Sequence, residues 1–331
     1  MKINRIYLIR DSFIYNAFKG KSNSTKKTKV SVIIPIYNQE KYLPKALESL
    51  QAQSLEETEF ICVNDGSDPQ IDKSISILNE YANRDNRIKI INQENQGAGP
   101  ARNNGLKQSN GEYIAFLDPD DWYEKNALQK LYETSKQKKC DMLVYNFNRI
   151  NEATREILKA ESVYNRISKN TPSFNVKENF TWKDFKPDVF RATYWMAWNK
   201  LYNSDFIKKN KLYFGKSSLA EDNIFIFNAT LKAKSIGYLD DYLYNYLQHD
   251  NSATKKKTDK NFCFFKAIDG VKKSLIKQNL MHELQDEFDN YVAKLISIHS
   301  LQILSQDKLK EACYKKLSHK QLEILKKLIV I

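Results

Sequence analysis

No stretch of this chain approaches the roughly 20 consecutive apolar residues that span a bilayer. Its opening, MKINRIYLIRDSF, meets charges too early for a secretory core, so a cytosolic setting is expected. Cysteine is scarce: Cys62, Cys140, Cys263 and Cys313 are scattered, with neither zinc-site spacing nor a disulfide framework. The histidines, His249, His282, His299 and His319, form no HExxH-type cluster. Nine glycines and seven prolines in 331 residues are too few for a fibrous or disordered chain. Phosphate-binding glycine patterns are missing as well. IPIYNQE stands where a dinucleotide fold needs GxGxxG, and neither GxxxxGK[ST] nor GxSxG occurs. Nicotinamide chemistry, ordinary ATP hydrolysis and a serine acyl nucleophile therefore lose support, and Gly97-Ala98-Gly99 reads as a turn entering a helix.

What is present is a globular composition, 41% hydrophobic and 28% charged. The net charge of +13 lies at the two ends. Residues 1–29 carry eight Lys/Arg against one Asp, and residues 254–331 sixteen against nine acids, so residues 30–253 are close to neutral. No zinc-finger, RNP-type or basic-zipper signature accompanies this basicity, so nucleic acid is not the expected partner. An anionic membrane surface suits it better. Near the end, Leu317, Leu322, Leu325, Leu328 and Ile329 interleave with Lys316, Lys320, Lys326 and Lys327, the pattern of an interfacial helix or of a bundle helix with a solvated lysine face.

From Val30 to about Asn148, short β-rich runs alternate with helical periodicity. Val30–Ile36, Glu59–Val63, Ile88–Ile91, Tyr113–Leu117 and Met142–Phe147 read as strands. Between them, Lys41–Gln53, a segment marked by Ile71, Ile75, Leu78 and Ala82, Pro100–Lys107 and Glu124–Gln137 read as helices. This alternation predicts a doubly wound, mostly parallel α/β sheet, which gathers ligands at the carboxyl ends of its strands. Residues 150–180 lose periodicity and predict a loop-rich insertion. A helix over Ser204–Asn210 and another opened by Glu221-Asp222 follow, and beyond Thr254 the chain reads as helices only.

Three polar clusters fall on one predicted edge: Pro35-Ile36-Tyr37-Asn38, Asn64-Asp65-Gly66-Ser67-Asp68 and Asp118-Pro119-Asp120-Asp121. Three carboxylates in four positions repel unless water, a helix N-terminus or a cation offsets the cost. The DxD spacing suits a hard divalent ion, Mg2+ or Mn2+, which shares oxygen ligands with phosphates and stabilises charge on a departing diphosphate.

KVSVIIPIYNQEKYLPKALESLQAQ, EFICVNDGSD, NQGAGPARNNGL, GEYIAFLDPDDW and AEDN together resemble the family 2 glycosyltransferases, inverting enzymes of the GT-A fold, over residues 29 to about 253. YWMAWNKLY and LYNYLQHDNS further resemble bacterial enzymes that extend lipooligosaccharide or other surface glycans. The resemblance implies a GT-A fold with a helical C-terminal region, in four parts: a basic extension (1–29), a nucleotide-sugar-binding half (30–150), an acceptor and catalytic-base half (151–253) and a basic helical region (254–331). It implies a UDP-sugar donor, a lipid-linked or surface oligosaccharide acceptor, an Mn2+ or Mg2+ cofactor and a cytoplasmic, membrane-peripheral location. It also implies residue roles. Pro35, Tyr37 and Glu40 border the nucleotide, with Tyr37 against the base; Asp65 accepts a hydrogen bond from uracil; Arg102 lies near the base; Asp118 faces the ribose. Asp120 ligates the metal with His249 beside it, and Asp222 is the general base, with Glu221 orienting it or touching the acceptor. Trp195, Trp198, Asn199 and Lys200 are candidates to line the acceptor site.

Each residue also has a plainer reading: Tyr37 as strand-end packing, Asp65 as a turn former, Arg102 as a helix-surface cation, Asp222 as a helix N-terminal acid, His249 as a structural histidine, Trp195 and Trp198 as core. Two other functions fit parts of the pattern. A sugar-nucleotide nucleotidyltransferase would want a glycine-rich basic turn where IPIYNQE stands, and a catalytically silent nucleotide-sugar-binding scaffold would have no need of both Asp120 and Asp222.

Overall fold

The computed structural model describes residues 27–175, 179–216, 221–250, 264–300, 311 and 317–329. Nearly all of the basic N-terminal extension and part of the C-terminal region lie outside these residues.

The apolar run Val30–Ile36 forms β1, buried at every position. It pairs in parallel with β2 (Thr58–Asp65) on one side and β4 (Tyr113–Phe116) on the other, and β2 pairs in parallel with β3 (Ile88–Gln93). A strand covered on both faces is predominantly apolar, which is why β1 shows no alternation; its one polar residue, Ser31, is buried and donates to Glu59. The crossovers are helical: α1 (Leu43–Gln51), α2 (Ser74–Arg84) and α3 (Ala98–Gln108). On α1 the periodic residues Leu43, Ala46, Leu47 and Leu50 are all fully buried, each leucine contributing about 1.5–3 kcal/mol of apolar burial. Ile71 departs from the expected pattern: it lies ahead of α2 and is 72% exposed.

Beyond β4 come β5 (Trp122–Tyr123), α4 (Ala127–Lys138), β6 (Met142–Asn151), β7 (Ile157–Lys159) and α5 (Val163–Ser168). The segment expected to be loop-rich thus holds a β6–β7 hairpin and a short helix capped by Ser162, whose hydroxyl accepts from Asn165 N–H. A capping box of Thr181 and Asp184 starts a 3-10 turn over Trp182–Asp188. Then follow β8 (Lys200–Asn203), α6 (Ser204–Asn210), α7 (Asp222–Lys232) and β9 (Ile236–Gln248).

The nine strands among the described residues belong to one sheet, ordered β3-β2-β1-β4-β8-β6-β9-β5 with β7 on the far side of the hairpin. It is parallel from β3 to β4. Past that point β8 runs antiparallel to both β4 and β6, while β6 and β9 are parallel. This α/β architecture is the GT-A type anticipated from the sequence. Toward the C-terminus the described residues form the helices α8 (Phe264–Lys277), α9 (Gln285–Ser300) and α10 (His319–Ile329). Leu317 and, on α10, Leu322 and Ile324 pack against the core, as in a bundle helix. No helix among the described residues is long and apolar enough to cross a membrane.

Candidate active site

The carboxyl ends of β1, β2 and β4 form one edge, and short side chains tie their loops together. Asn38 adopts the left-handed conformation, φ 50°, that asparagine tolerates. Its N–H donates to Ser67 Oγ (3.0 Å), and its side-chain carbonyl accepts from Asp68 N–H (3.1 Å). Glu40 accepts from Lys73 N–H (2.9 Å), so its carboxylate braces the turn before α2. Pro35 is buried within β1, whereas the ring of Tyr37 is 48% exposed at the strand's end.

Asp65, at the end of β2, is 2% exposed. Its oxygens accept from Gln93 Nε2 (2.7 Å), Gln96 N–H (2.9 Å) and Gly97 N–H (2.8 Å). It therefore holds the turn into α3, where Gly97 takes φ 95°, a conformation side-chain-bearing residues rarely adopt. Packing then requires glycine at Gly99, because an added Cβ would stand 2.1 Å from the carbonyl oxygen of Gly215.

This anchoring sets α3 so that Arg102 points inward, 4% exposed. Its Nη2 donates to Asp118 Oδ1 (2.7 Å), and its Nη1 to Asp222 Oδ1 (2.9 Å) and Glu221 Oε1 (3.2 Å). Arg102 is thus not open to the crevice beside a nucleotide base, as the resemblance had implied. Three carboxylates from two distant segments compete for its charge, and that arrangement holds it in the interior.

The three aspartates behind β4 have three different partners, which answers the crowding. Asp118 pairs with Arg102. Asp121 is buried and accepts from Tyr244 Oη and Leu247 N–H on β9, both at 2.8 Å, and burial drives its carboxyl well above the usual aspartate range. Asp120 turns to His249, with Oδ2 2.9 Å from Nε2. His249 is 4% exposed, and its Nδ1 lies 3.1 Å from Tyr42 Oη, which in turn contacts Glu152 (3.3 Å). With Nε2–H donating to Asp120 and Nδ1 accepting from Tyr42 Oη the chain is satisfied as it stands; with the other tautomer the Nε2 lone pair faces the Asp120 carboxylate, and the two are then a nitrogen and an oxygen ligand of the kind that could hold a divalent ion. No group of three or more metal-binding side chains occurs among the described residues.

Asp222 opens α7, where the helix N-terminus favours an anion. Its side chain is 15% exposed, and Oδ2 accepts from Ala197 N–H (3.3 Å). Burial is the largest influence on its acidity; Arg102 lowers the value while Glu221 and Asp118 raise it, and the carboxyl is pushed up to about 7.

Two of the expected acceptor residues are interior instead. Trp198 is 3% exposed and stacked on Tyr244 with centroids 4.3 Å apart, leaving no face for a sugar. Lys200 is fully buried, and its ammonium donates to the carbonyls of Thr193 (2.7 Å) and Met196 (2.8 Å) and to Asn199 Oδ1 (2.6 Å). Desolvation pushes its pKa well below the usual lysine value. Lys200 and Asn199 fasten the 193–199 loop from beneath. Trp195 is half-buried, edge-on to Tyr291. Sequence reasoning assigned no role to Tyr42, Tyr244 or Glu152, although Tyr42 lies within KVSVIIPIYNQEKYLPKALESLQAQ and Tyr244 within LYNYLQHDNS.

Residues 31–200 match glycosyl transferase family 2, and the chain belongs to that family. The Bacillus subtilis protein EpsH is 33% identical over 273 residues, 81% of this chain and 75% of its own. The crystal structure of residues 1–349 of Staphylococcus aureus TarS, a poly(ribitol-phosphate) β-N-acetylglucosaminyltransferase, in complex with UDP-GlcNAc aligns with a TM-score of 0.62 at 23% identity, covering 91% of this chain and 79% of that one. A mannosyltransferase from Pyrobaculum calidifontis in complex with GDP-Man and Mn2+ aligns with a TM-score of 0.53 at 12% identity, covering 92% of this chain and 80% of that one.

Proposed function

We propose that the protein moves a sugar from a UDP-sugar to a hydroxyl of a surface or lipid-linked glycan, with inversion at the anomeric carbon. The observation that carries this reading is the shared guanidinium of Arg102, which joins Asp118 of the acidic loop to Asp222 of α7 across one crevice. A donor-side loop and a candidate base therefore face each other from segments far apart in the chain. Support for a UDP-sugar comes from the donor bound to TarS, and for a surface-glycan acceptor from the substrate in that enzyme's name.

In this reading the exposed ring of Tyr37 packs on the uracil, with Pro35, Glu40 and Asp65 shaping the surrounding turns, and the free oxygen of Asp118 meets the ribose. Asp120 and His249 would hold a divalent ion, Mn2+ or Mg2+, whose charge eases departure of the diphosphate. Asp222 removes the acceptor hydroxyl's proton as that oxygen attacks the anomeric carbon, and the bonding electrons of the broken C–O bond leave with UDP. A base held near 7 is charged enough to act and basic enough to take the proton at neutral pH. Membership of the family removes the nucleotidyltransferase alternative.

The test is thermal stabilisation by UDP with Mn2+, followed by UDP release from a panel of UDP-sugars. Asp120→Ala should abolish the Mn2+-dependent part of the stabilisation. Equal stabilisation of that variant, or an absence of UDP release with every donor, would remove the assignment. Attraction of the basic termini to lipid is tested with vesicles: retention on anionic vesicles at low salt and release at about 0.5 M salt is expected, and equal retention on neutral vesicles would refute it.

A further inference from the structure

A cavity of about 390 Å3 lies outside the donor crevice, and six of its eleven lining residues are charged. Trp195 and Met196 form part of its wall, immediately before Ala197, whose N–H donates to Asp222. Two residues of backbone span at most about 7 Å, so the cavity wall and the partner of Asp222 belong to one short loop.

Four cations line it, Arg166, Lys169, Arg191 and Lys294, against two acids, Glu161 and Asp188. Lys169 pairs with Glu161, and Arg191 pairs with Asp188 at 2.7 Å. That leaves Arg166 and Lys294 in excess. Lys294, on α9, is exposed with no ion-pair partner among the described residues. Arg166 is rigidly set: it lies 3.9 Å from the centroid of the Tyr194 ring and donates from Nε to Ala192 O (3.2 Å) and from Nη2 to Arg191 O (2.6 Å). Its Nη1 stands 4.0 Å from Glu161 and the guanidinium also bonds the Tyr194 side chain, so only part of its planar donor set remains for a ligand. A fixed guanidinium with free donors, a lone ammonium and an indole edge are suited to an oxoacid group on a sugar- or polyol-containing chain.

We infer that this cavity is an acceptor subsite for an anionic glycan, one carrying phosphodiester or carboxylate groups, which it grips a short distance from the reacting hydroxyl. The inference rests on the transferase reading of Asp222. The parent protein is titrated with three probes, poly(ribitol phosphate), oligogalacturonate and neutral dextran oligomers, and binding is read by affinity electrophoresis and by tryptophan fluorescence. One or both anionic probes should bind and dextran should not; the probe retained identifies the source of the charge. Lys294→Glu and Arg166→Gln should each weaken that binding about tenfold, the effect of one charge-assisted contact, and lower its salt dependence. Should Arg166→Gln disturb the loop it braces, the exposed Lys294→Glu still decides. Anion binding that both variants retain at parental strength would trace to the basic termini and overturn the inference, as would equal binding of dextran. UDP-sugar hydrolysis by the parent protein is measured separately. Hydrolysis without anionic binding refutes the subsite alone, and its absence refutes the transferase reading.

Discussion

Replacing Asp222 with asparagine should make the protein more stable above neutral pH while abolishing transfer. An ordinary aspartate titrates near 3.8, but the side chain at the start of α7 is pushed up to about 7, mainly by burial. The folded state therefore holds this proton more tightly than the unfolded chain does. Between about pH 4 and 7 the unfolded chain binds fewer protons, so stability falls as pH rises through that window. Below the window no penalty exists; above it the penalty is complete. A rise of this size corresponds to about 4 kcal/mol at most, in a group whose interaction with Arg102 already offsets part of the desolvation. The asparagine keeps the shape and carries no charge to desolvate. For a chain of this size each kcal/mol corresponds to about 2 °C, so the variant should melt a few degrees above the parent at about pH 8 and level with it at about pH 4. Calorimetry at the two pH values, with UDP release measured in parallel, is the assay. A variant that melts at or below the parent in the alkaline buffer, or whose advantage persists in the acid one, would refute the assignment of a burial-raised carboxylate. Full transfer activity would refute its role as base.

Three further outcomes are expected. Tyr42→Phe should leave the fold intact but weaken Mn2+ affinity about tenfold, the usual cost of losing a partner that orients a ligand, as measured by titration calorimetry; unchanged affinity would show that the contact with His249 Nδ1 does not matter. Lys200→Met should lower stability by several kcal/mol, since each carbonyl stripped of its donor costs about 1–3 kcal/mol, with amide exchange rising over residues 193–199; exchange unchanged there would refute the bracing role. The acid limb of the pH–kcat profile should fall near pH 7, as UDP release across about pH 5–9 would show, and a limb at the ordinary aspartate value would point to another base.

Much of the nucleotide-binding half could be read directly. Val30–Ile36 is a continuous run rich in β-branched residues, and Leu43, Ala46, Leu47 and Leu50 keep strict helical spacing. Patterns of this strength depend on local sequence, and the structure follows them to within a few residues. β9 went unread because it does not alternate cleanly. Opposite Tyr145, Asn146 and Phe147 the register shifts, and the bulge holds Asp240-Asp241 in mid-strand, where two adjacent acids argue against a sheet. β8 is four residues long and pairs only with distant partners. In the site, the DxD loop and the ED pair are local motifs and were visible. That one arginine would serve both was not, since Arg102, Asp118 and Asp222 meet only through tertiary packing. Trp198 and Lys200 show the opposite failure: residue types that elsewhere hold sugars were taken up here by a ring stack and a ring of carbonyls.

The place of β8 in the sheet bears on how the protein can be divided. The family match ends at residue 200, where this strand begins, and among the described residues β8 is the sole bridge between β4 and β6. A fragment cut at that boundary would have two bare strand margins looking at one another across an empty lane, each ready to recruit a foreign chain. Pieces made for crystallography, or for swapping acceptor modules between relatives, should therefore be cut outside the sheet rather than at the family's edge.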